Sequence, residues 1–378
     1  MRNAQMLPQT IPSLNGIRAI SVLLVVLAHS GFGVIIPGGL GVTIFFFLSG
    51  YLITTLMLAE SERLGNIAIL SFYARRIFRL APPLLITLAL AYTLNYFGLL
   101  PGQITLDGLM AQLLYFANYF YIFFDPGGDK VPAGTAILWS LAVEEHFYIF
   151  FPLIMTFFVR RGLRPRAIGI VLIITCLVIL IWRIHLVLSP EFSVDRTYLS
   201  SDTRIDSIIY GCLTAVLFNP VRAAPRSKTM SSLQWTLFSV GIGLLLFCLI
   251  YRNPVFRETF RYSLQGIALI PVFYFSILFC DNAFFCHLNS VWLIRLGVYS
   301  YTVYLSHHII IFVIAKNAPF VADNPFVVFS VVLAISVAYA AAIDRFVDPY
   351  FRQLRRKYHR ASDYQSLRDA RKLCPIPQ

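Results

Sequence analysis

IRAISVLLVVLAHSGFGVII, residues 17–36, is the stretch whose reading decides the fold. As a helix rising about 1.5 Å per residue, it is long enough to cross a hydrocarbon core about 30 Å thick. It is too long for the apolar core of a signal peptide, and no small-residue cleavage site follows, so it is expected to stay as the first membrane helix. Two ionisable groups interrupt it, Arg18 and His29. Such groups in a membrane helix cost about 2.5–3.5 kcal/mol each on insertion scales, so each needs a partner or a wet cavity. Eleven residues at about 100° each make three turns and a small remainder, which puts Arg18 and His29 on one face. Their Cα atoms are then separated by about 16 Å along the axis.

Working outward, blocks of the same kind recur to the end of the chain. Of the 378 residues 58% are hydrophobic and 13% charged, against about 25% charged in a soluble domain. Spans are expected at 17–36, 39–58, 82–100, 139–159, 167–188, 204–219, 233–251, 262–280, 292–315 and 326–346. The fold class is all-α, a polytopic membrane helix bundle of about ten transmembrane helices. Residues 1–346 form the membrane domain and 347–378 a basic tail, helical near the membrane and frayed beyond Arg360. The apolar and aromatic residues 104–124, with LMAQLLYFANYFYIFF at their end, are expected to lie re-entrantly or at the outer interface, covered by protein. If it crossed, the RRGLRPR cluster at 160–166 would change sides.

The net charge of +13 raises the question of nucleic acid. The basic residues sit between apolar blocks, where they read as a topology signal, so no nucleic acid is expected. With Arg2 inside, the clusters Arg63, Arg75, Arg76, Arg79, then Arg160, Arg161, Arg164, Arg166, then Arg222, Arg226, Lys228, and the basic tail from Arg345 all fall on the same side. Lys130, Arg196, Arg204, Arg252, Arg257 and Arg261 fall on the other. Both termini are therefore expected in the cytoplasm, in a multi-pass protein of the plasma (inner) membrane. The six cysteines (Cys176, Cys212, Cys248, Cys280, Cys286, Cys374) form no CxxC pair and read as small core residues.

Function should show where polar groups enter the apolar blocks. SFYARRIFRLAPP (71–83) offers Arg75, Arg76 and Arg79 ahead of Pro82 and Pro83, where a helix is expected to begin. Arg76 and Arg79 share a helix face and suit phosphate oxygens, although anchorage to lipid phosphate is the commoner use of such a cluster. ILWSLAVEEHFYIFFP (137–152) places Glu144 and Glu145 near a helix start, where negative charge is favoured; at that depth a basic partner is expected. SSDTRIDSIIYGC (200–212) reads as an internal ion-pair lattice through Asp202, Arg204 and Asp206. GVYSYTVYLSHHIII (297–311) sets Tyr301, Tyr304 and His307 at i, i+3 and i+6, as a cavity lining or a packing stripe. Ser49-Gly50 in GGLGVTIFFFLSGYLI (38–53) leaves room for a ligand or for close helix approach.

In order along the chain, SLNGIRAISVLLVVLAHS, FFFLSGYLIT, FYARRIFRLAPP, LWSLAVEEHFYIFFP, TRIDSIIYGCL and GVYSYTVYLSH resemble the acyltransferase 3 family of membrane acyltransferases. The resemblance covers nearly the whole chain. It implies transfer of an acetyl or other short acyl group from acyl-coenzyme A to a hydroxyl of a glycan or glycosylated small molecule. The family's Arg-x10-His motif falls on Arg18 and His29, its Arg-x-x-Arg motif on Arg76 and Arg79, and its WSL-x-x-E motif on Trp139, Ser140 and Glu144. Thr43 departs from the pattern, since many relatives carry an acidic residue there. Some relatives add an extracytoplasmic esterase-like domain, and none is expected within these 378 residues.

The expected assignments follow. His29, Glu144 and Arg18 are catalytic, with His29 the base on the acceptor hydroxyl, Glu144 orienting His29 or stabilising its cation, and Arg18 holding the inner part of the donor. Arg75, Arg76 and Arg79 bind the phosphates of acyl-coenzyme A. Ser49, Trp139, Ser140, Tyr301, Tyr304 and His307 line the substrate cavity. No metal and no permanently bound cofactor is expected; acyl-coenzyme A is a co-substrate. The partners are the lipid bilayer, acyl-coenzyme A and the glycan or glycoside acceptor. A covalent acyl relay is equally compatible with these residues. The competing class is a transporter or polysaccharide flippase, which calls for inverted repeats that the sequence does not display. A glycosyltransferase is a third class, without an acidic metal-binding motif in its support.

Overall fold

Blocks this apolar can satisfy their backbone in lipid only as helices. The computed structural model describes residues 11–223 and 229–358. Arg2, Arg226, Lys228, Cys374 and the tail from position 359 lie outside the described residues. Among the described residues all regular structure is helical. The helices are α1 (Leu14–Leu27), α2 (Gly38–Leu64), α3 (Ile69–Tyr96), α4 (Leu106–Leu113), α5 (Ala117–Phe123), α6 (Trp139–Arg160), α7 (Pro165–Leu188), α8 (Val194–Tyr198) and α9 (Ser201–Leu217). They continue as α10 (Ser232–Ile250), α11 (Pro254–Glu258), α12 (Phe260–Leu278), α13 (Val291–Asn317), α14 (Pro319–Ala322), α15 (Pro325–Ala342) and α16 (Asp348–Lys357).

Among the described residues nine helical segments are long and apolar enough to cross a membrane. The tenth expected span is α9, with 17 residues, or about 25 Å of helix. It is the central one. Residues all round it are buried, Asp206 and Arg204 included, and it packs on α2, α7 and α12. At the α2–α9 crossing the backbones touch. A Cβ on Gly50 would collide with the Ile208 carbonyl oxygen, and one on Gly211 with that of Phe47. The Ser49-Gly50 gap is thus filled by a neighbouring helix on the glycine side.

Residues 104–124 form the short helices α4 and α5, broken at Tyr115, whose φ is 56°. Neither is long enough to cross. Their polar groups are met by protein: the buried Gln112 amide donates to Tyr121 Oη at 3.0 Å and Thr135 Oγ1 at 2.8 Å, and accepts from Tyr92 Oη at 3.1 Å. Burial pushes the Tyr121 hydroxyl above its ordinary range, so it serves here as a neutral group.

Three expectations need correction. The helix expected to start at Pro82-Pro83 starts at Ile69 and runs through both prolines. Prolines are tolerated inside a membrane helix packed among neighbours; hydroxyls reach the backbone on either side of them, with Tyr301 Oη donating to the Leu80 carbonyl at 3.0 Å and Thr87 Oγ1 to that of Pro83 at 2.7 Å. The first span is not one regular helix. After Leu27 it continues as a π-helical turn, Ala28–Phe32, in which Gly31 takes φ 107°. The departure from helical backbone falls at Gly31, two residues past His29, while Leu27 and Ala28 keep α-helical dihedrals. Finally, the ion pairs around α9 run through other arginines. Arg183 of α7 pairs with Asp206 at 2.7 Å with both side chains fully buried, and Arg196 pairs with Asp202 at 2.6 Å. Arg204 lies instead among the rings of Tyr262, Tyr198, Phe46 and Trp139 and donates to Thr43 Oγ1 at 3.2 Å.

The alternating course gathers the basic clusters at one end of the bundle. There Arg222 meets Glu62 at 2.7 Å, and Arg75 donates to the Tyr358 carbonyl at 3.0 Å. At the other end Arg252 donates to the Val34 carbonyl. Cys176, Cys212 and Cys248 are buried thiols and Cys286 is exposed.

Asp206→Ala strands a buried guanidinium and should cost about 3–5 kcal/mol, read as a lower melting temperature in detergent. Arg183→Met/Asp206→Leu should recover most of that loss. Gly211→Val forces α2 and α9 apart and should cost about 1–3 kcal/mol in the same measurement, whereas Gly243→Ala, with open space around the new Cβ, should cost nothing.

Candidate active site

Where α1, α2, α3, α6 and α13 face one another at the basic end, they leave a cavity of about 120 Å³. Arg18, Ser49, Arg76, Arg79, Ser140, Glu144, Tyr148, Tyr301 and Tyr304 all line it. Five sequence segments that lie far apart therefore contribute to one space. On α2 the lining runs from Val42 to Ile53, a length of about 16 Å.

The arginine mouth is held by carboxylates of α6. Arg76 Nη2 lies 3.8 Å from Glu144 Oε2, and Arg76 Nε 3.5 Å from Glu145 Oε1. All three side chains are less than a fifth exposed. Tyr148, one turn beyond Glu144, donates to Glu144 Oε2 at 2.7 Å, and the Arg76 guanidinium lies over its ring. The basic partner that the depth of Glu144 requires is thus Arg76. Arg79 lines the same cavity, three residues further along α3.

Arg75 turns away. It pairs with Glu60 at 3.7 Å and reaches Tyr358, outside the cavity lining. The helical period explains this, since Arg75 lies about 100° round the helix from Arg76. Trp139 is buried edge-on against Phe46 and beside Tyr198, behind Ser140 and outside the lining.

At the inner end of the cavity Tyr304 Oη and Ser140 Oγ are 2.7 Å apart, and Tyr304 Oη also donates to the Ile137 carbonyl at 3.1 Å. The Tyr304 carbonyl continues the path: it accepts from His307 Nδ1 at 2.6 Å. His307 Nε2 in turn lies 2.9 Å from His29 Nδ1. His307 is fully buried, while His29, on its π-helical turn, is exposed. The three rings cluster: His29 lies 5.2 Å from His307 and 4.5 Å from His308 between centroids, and those two lie 5.8 Å apart.

His29 therefore stands beyond Tyr304 and His307, outside the cavity that Arg18, Arg76 and Arg79 line. Its partner is His307, while the bonds of Glu144 go to Arg76 and Tyr148. His307 does not line the cavity; it joins the cavity's end to His29. Two residues went unnoticed in the sequence. Tyr148 was legible as the i+4 neighbour of Glu144; His308 was not, because only the fold turns it onto His29. The three imidazoles stack, and among the described residues no group of His, Cys, Asp or Glu is arranged to hold a metal ion.

The arrangement offers a cationic mouth for an anionic donor, an interior with hydroxyls, and an exposed imidazole at the far end. Comparison with known proteins bears on the family. An O-acetyltransferase OatA of Staphylococcus aureus is 30% identical over 357 residues, covering 92% of this chain and 58% of the relative. The peptidoglycan O-acetyltransferase OatA of Listeria monocytogenes is 29% identical over 315 residues, 80% of this chain and 49% of the relative. The chain thus spans about half the length of the curated relatives it matches. No solved structure matches it. A family model described as an acyltransferase domain matches residues 11–344, nearly the whole described bundle. With that match, and with the family's motif positions Arg18, Arg76, Arg79, Ser140 and Glu144 meeting in one cavity, the chain belongs to the acyltransferase 3 family of membrane acyltransferases.

Proposed function

We propose that this chain is a membrane-bound O-acetyltransferase that moves an acetyl group from acetyl-coenzyme A to a hydroxyl of a glycan, with a peptidoglycan sugar the first acceptor to try. The observation that carries the reading is the arginine-lined cavity, whose lining includes Ser140 and Tyr304 and which is joined through Tyr304 and His307 to the exposed imidazole of His29. The names of the relatives support the acetyl group and the glycan. The excess of arginine at the cavity end supports a cytoplasmic mouth in the plasma membrane.

In this reading Arg76 and Arg79 take the donor's phosphates, since guanidinium groups bind phosphate oxygens in pairs. Glu144 and Glu145 hold Arg76 ready for them. A cavity of about 120 Å³ takes a slender arm and leaves the nucleotide at the mouth. Arg18, inside the cavity, steadies that arm, while Arg75 belongs to the contact with the C-terminal segment. His29 removes the proton from the acceptor hydroxyl as its oxygen attacks the thioester carbonyl. The new C–O bond forms, the C–S bond breaks, and the proton on His29 passes to the departing sulfur, leaving free coenzyme A and an ester. The acceptor comes from the side on which His29 is exposed, opposite the donor mouth. The thioester arm has to pass Tyr304 to reach it.

The test is incubation of the purified protein with radiolabelled acetyl-coenzyme A and peptidoglycan fragments, with label on the glycan expected. A transporter would leave the label on the donor. His29→Ala should abolish transfer while donor still binds; transfer at the wild-type rate would remove His29 from the chemistry. Arg79→Ala should raise the donor KM about tenfold or more, the effect of losing a charge-assisted bond of about 1.5–3 kcal/mol. An unchanged KM would place the phosphates elsewhere.

A further inference from the structure

The hydrogen bonds around His29 assign protons as well as positions. The Tyr304 carbonyl can only accept, so His307 Nδ1, 2.6 Å away, carries a proton. In a neutral ring the other nitrogen is then an acceptor. His307 Nε2 faces His29 Nδ1 at 2.9 Å, and a contact of that length needs one hydrogen. It has to come from His29. His29 is therefore protonated at Nδ1, and its Nε2 keeps a free lone pair. Among the described residues nothing hydrogen-bonds that Nε2, and His29 is exposed. His308 touches the imidazole through its face and leaves the nitrogens alone.

We propose that His307 is the positioning residue of the reaction: by accepting from His29 Nδ1 it fixes the ring and the tautomer that leaves Nε2 as the base. This rests on the acyltransferase reading for its consequence, and on the hydrogen-bond geometry alone for its cause. The arrangement does the work that a carboxylate does in the serine-protease triad, where the third residue holds the imidazole in the productive tautomer. Here the third group is the backbone carbonyl of Tyr304, and a second imidazole relays its preference. A neutral relay suits the site, because a carboxylate beside His307 would bring a formal charge to a fully buried position. When His29 takes up the acceptor's proton, its Nδ1–H bond to His307 strengthens as the ring becomes cationic, so the contact favours the charged intermediate state as well.

Two measurements test this. In 15N-histidine-labelled protein, the His29 signals, identified by their loss in His29→Ala, should report a neutral ring protonated at Nδ1 and bare at Nε2. The opposite tautomer overturns the assignment whether or not the protein transfers acetyl groups. In the transfer assay, His307→Leu removes the acceptor and should lower kcat about 10–100-fold, as loss of an orienting partner does, with the donor KM unchanged. His307→Gln keeps an acceptor for His29 and a donor for Tyr304, and should hold kcat within about tenfold of wild type. A His307→Leu enzyme at the wild-type kcat, or a Gln variant no better than the Leu one, overturns the positioning role. A wild-type protein that transfers nothing defeats the acyltransferase reading and leaves the spectroscopic result standing by itself.

Discussion

A formal charge inside hydrocarbon has to be met within the protein, and the placement of nearly every polar group in this bundle follows from that constraint. Arg183 and Asp206 answer it by direct contact with no exposure at all. Arg204 answers it with aromatic faces and a threonine hydroxyl. Arg76 answers it with Glu144 and Glu145, and this is the solution that also opens a cavity. The first two bind α7, α9 and α12 into a fixed half. The third leaves guanidinium groups at a mouth where an anionic ligand can compete for them. The arginines at the cavity and those packed into the bundle thus differ in what surrounds them.

The sequence disclosed the number and kind of the helices because length and hydropathy are local properties. It disclosed the non-spanning behaviour of residues 104–124 because charge on the flanking loops constrains the crossing count. It also disclosed that Arg18, Ser49, Arg76, Arg79, Glu144, Tyr301 and Tyr304 belong together, although most of that came through the family pattern. What stayed hidden depends on backbone detail. The π-helical turn at Ala28–Phe32 has no periodicity signal, yet it ends the regular part of the first span just before His29. The prolines at 82 and 83 look like a helix start until the hydroxyls of Tyr301 and Thr87 are seen beside them. Sequence reasoning points to a carboxylate, Glu144, as the partner of His29, because a carboxylate is the usual orienting group. The structure supplies an imidazole, which a reading of charge has no means to select.

The same detail separates two ends of the molecule that a linear reading runs together. The arginine cavity and the exposed imidazole lie on opposite sides of Tyr304 and Ser140. A residue at that boundary faces two environments. Its hydroxyl meets Ser140 and the Ile137 carbonyl in the cavity wall, and its carbonyl meets His307. Ser140, from the start of α6, fixes the height of this boundary against α13.

Tyr304 thereby takes part twice, once through a side chain and once through its main chain. Genetics can reach only the first of these. Any amino acid encoded at position 304 brings the same C=O, so a comprehensive substitution scan would score the phenol and remain blind to the acceptor behind it. Reaching that oxygen calls for chemistry at the amide itself, for example an ester linkage introduced by unnatural amino-acid mutagenesis, which weakens the carbonyl as an acceptor without altering a side chain.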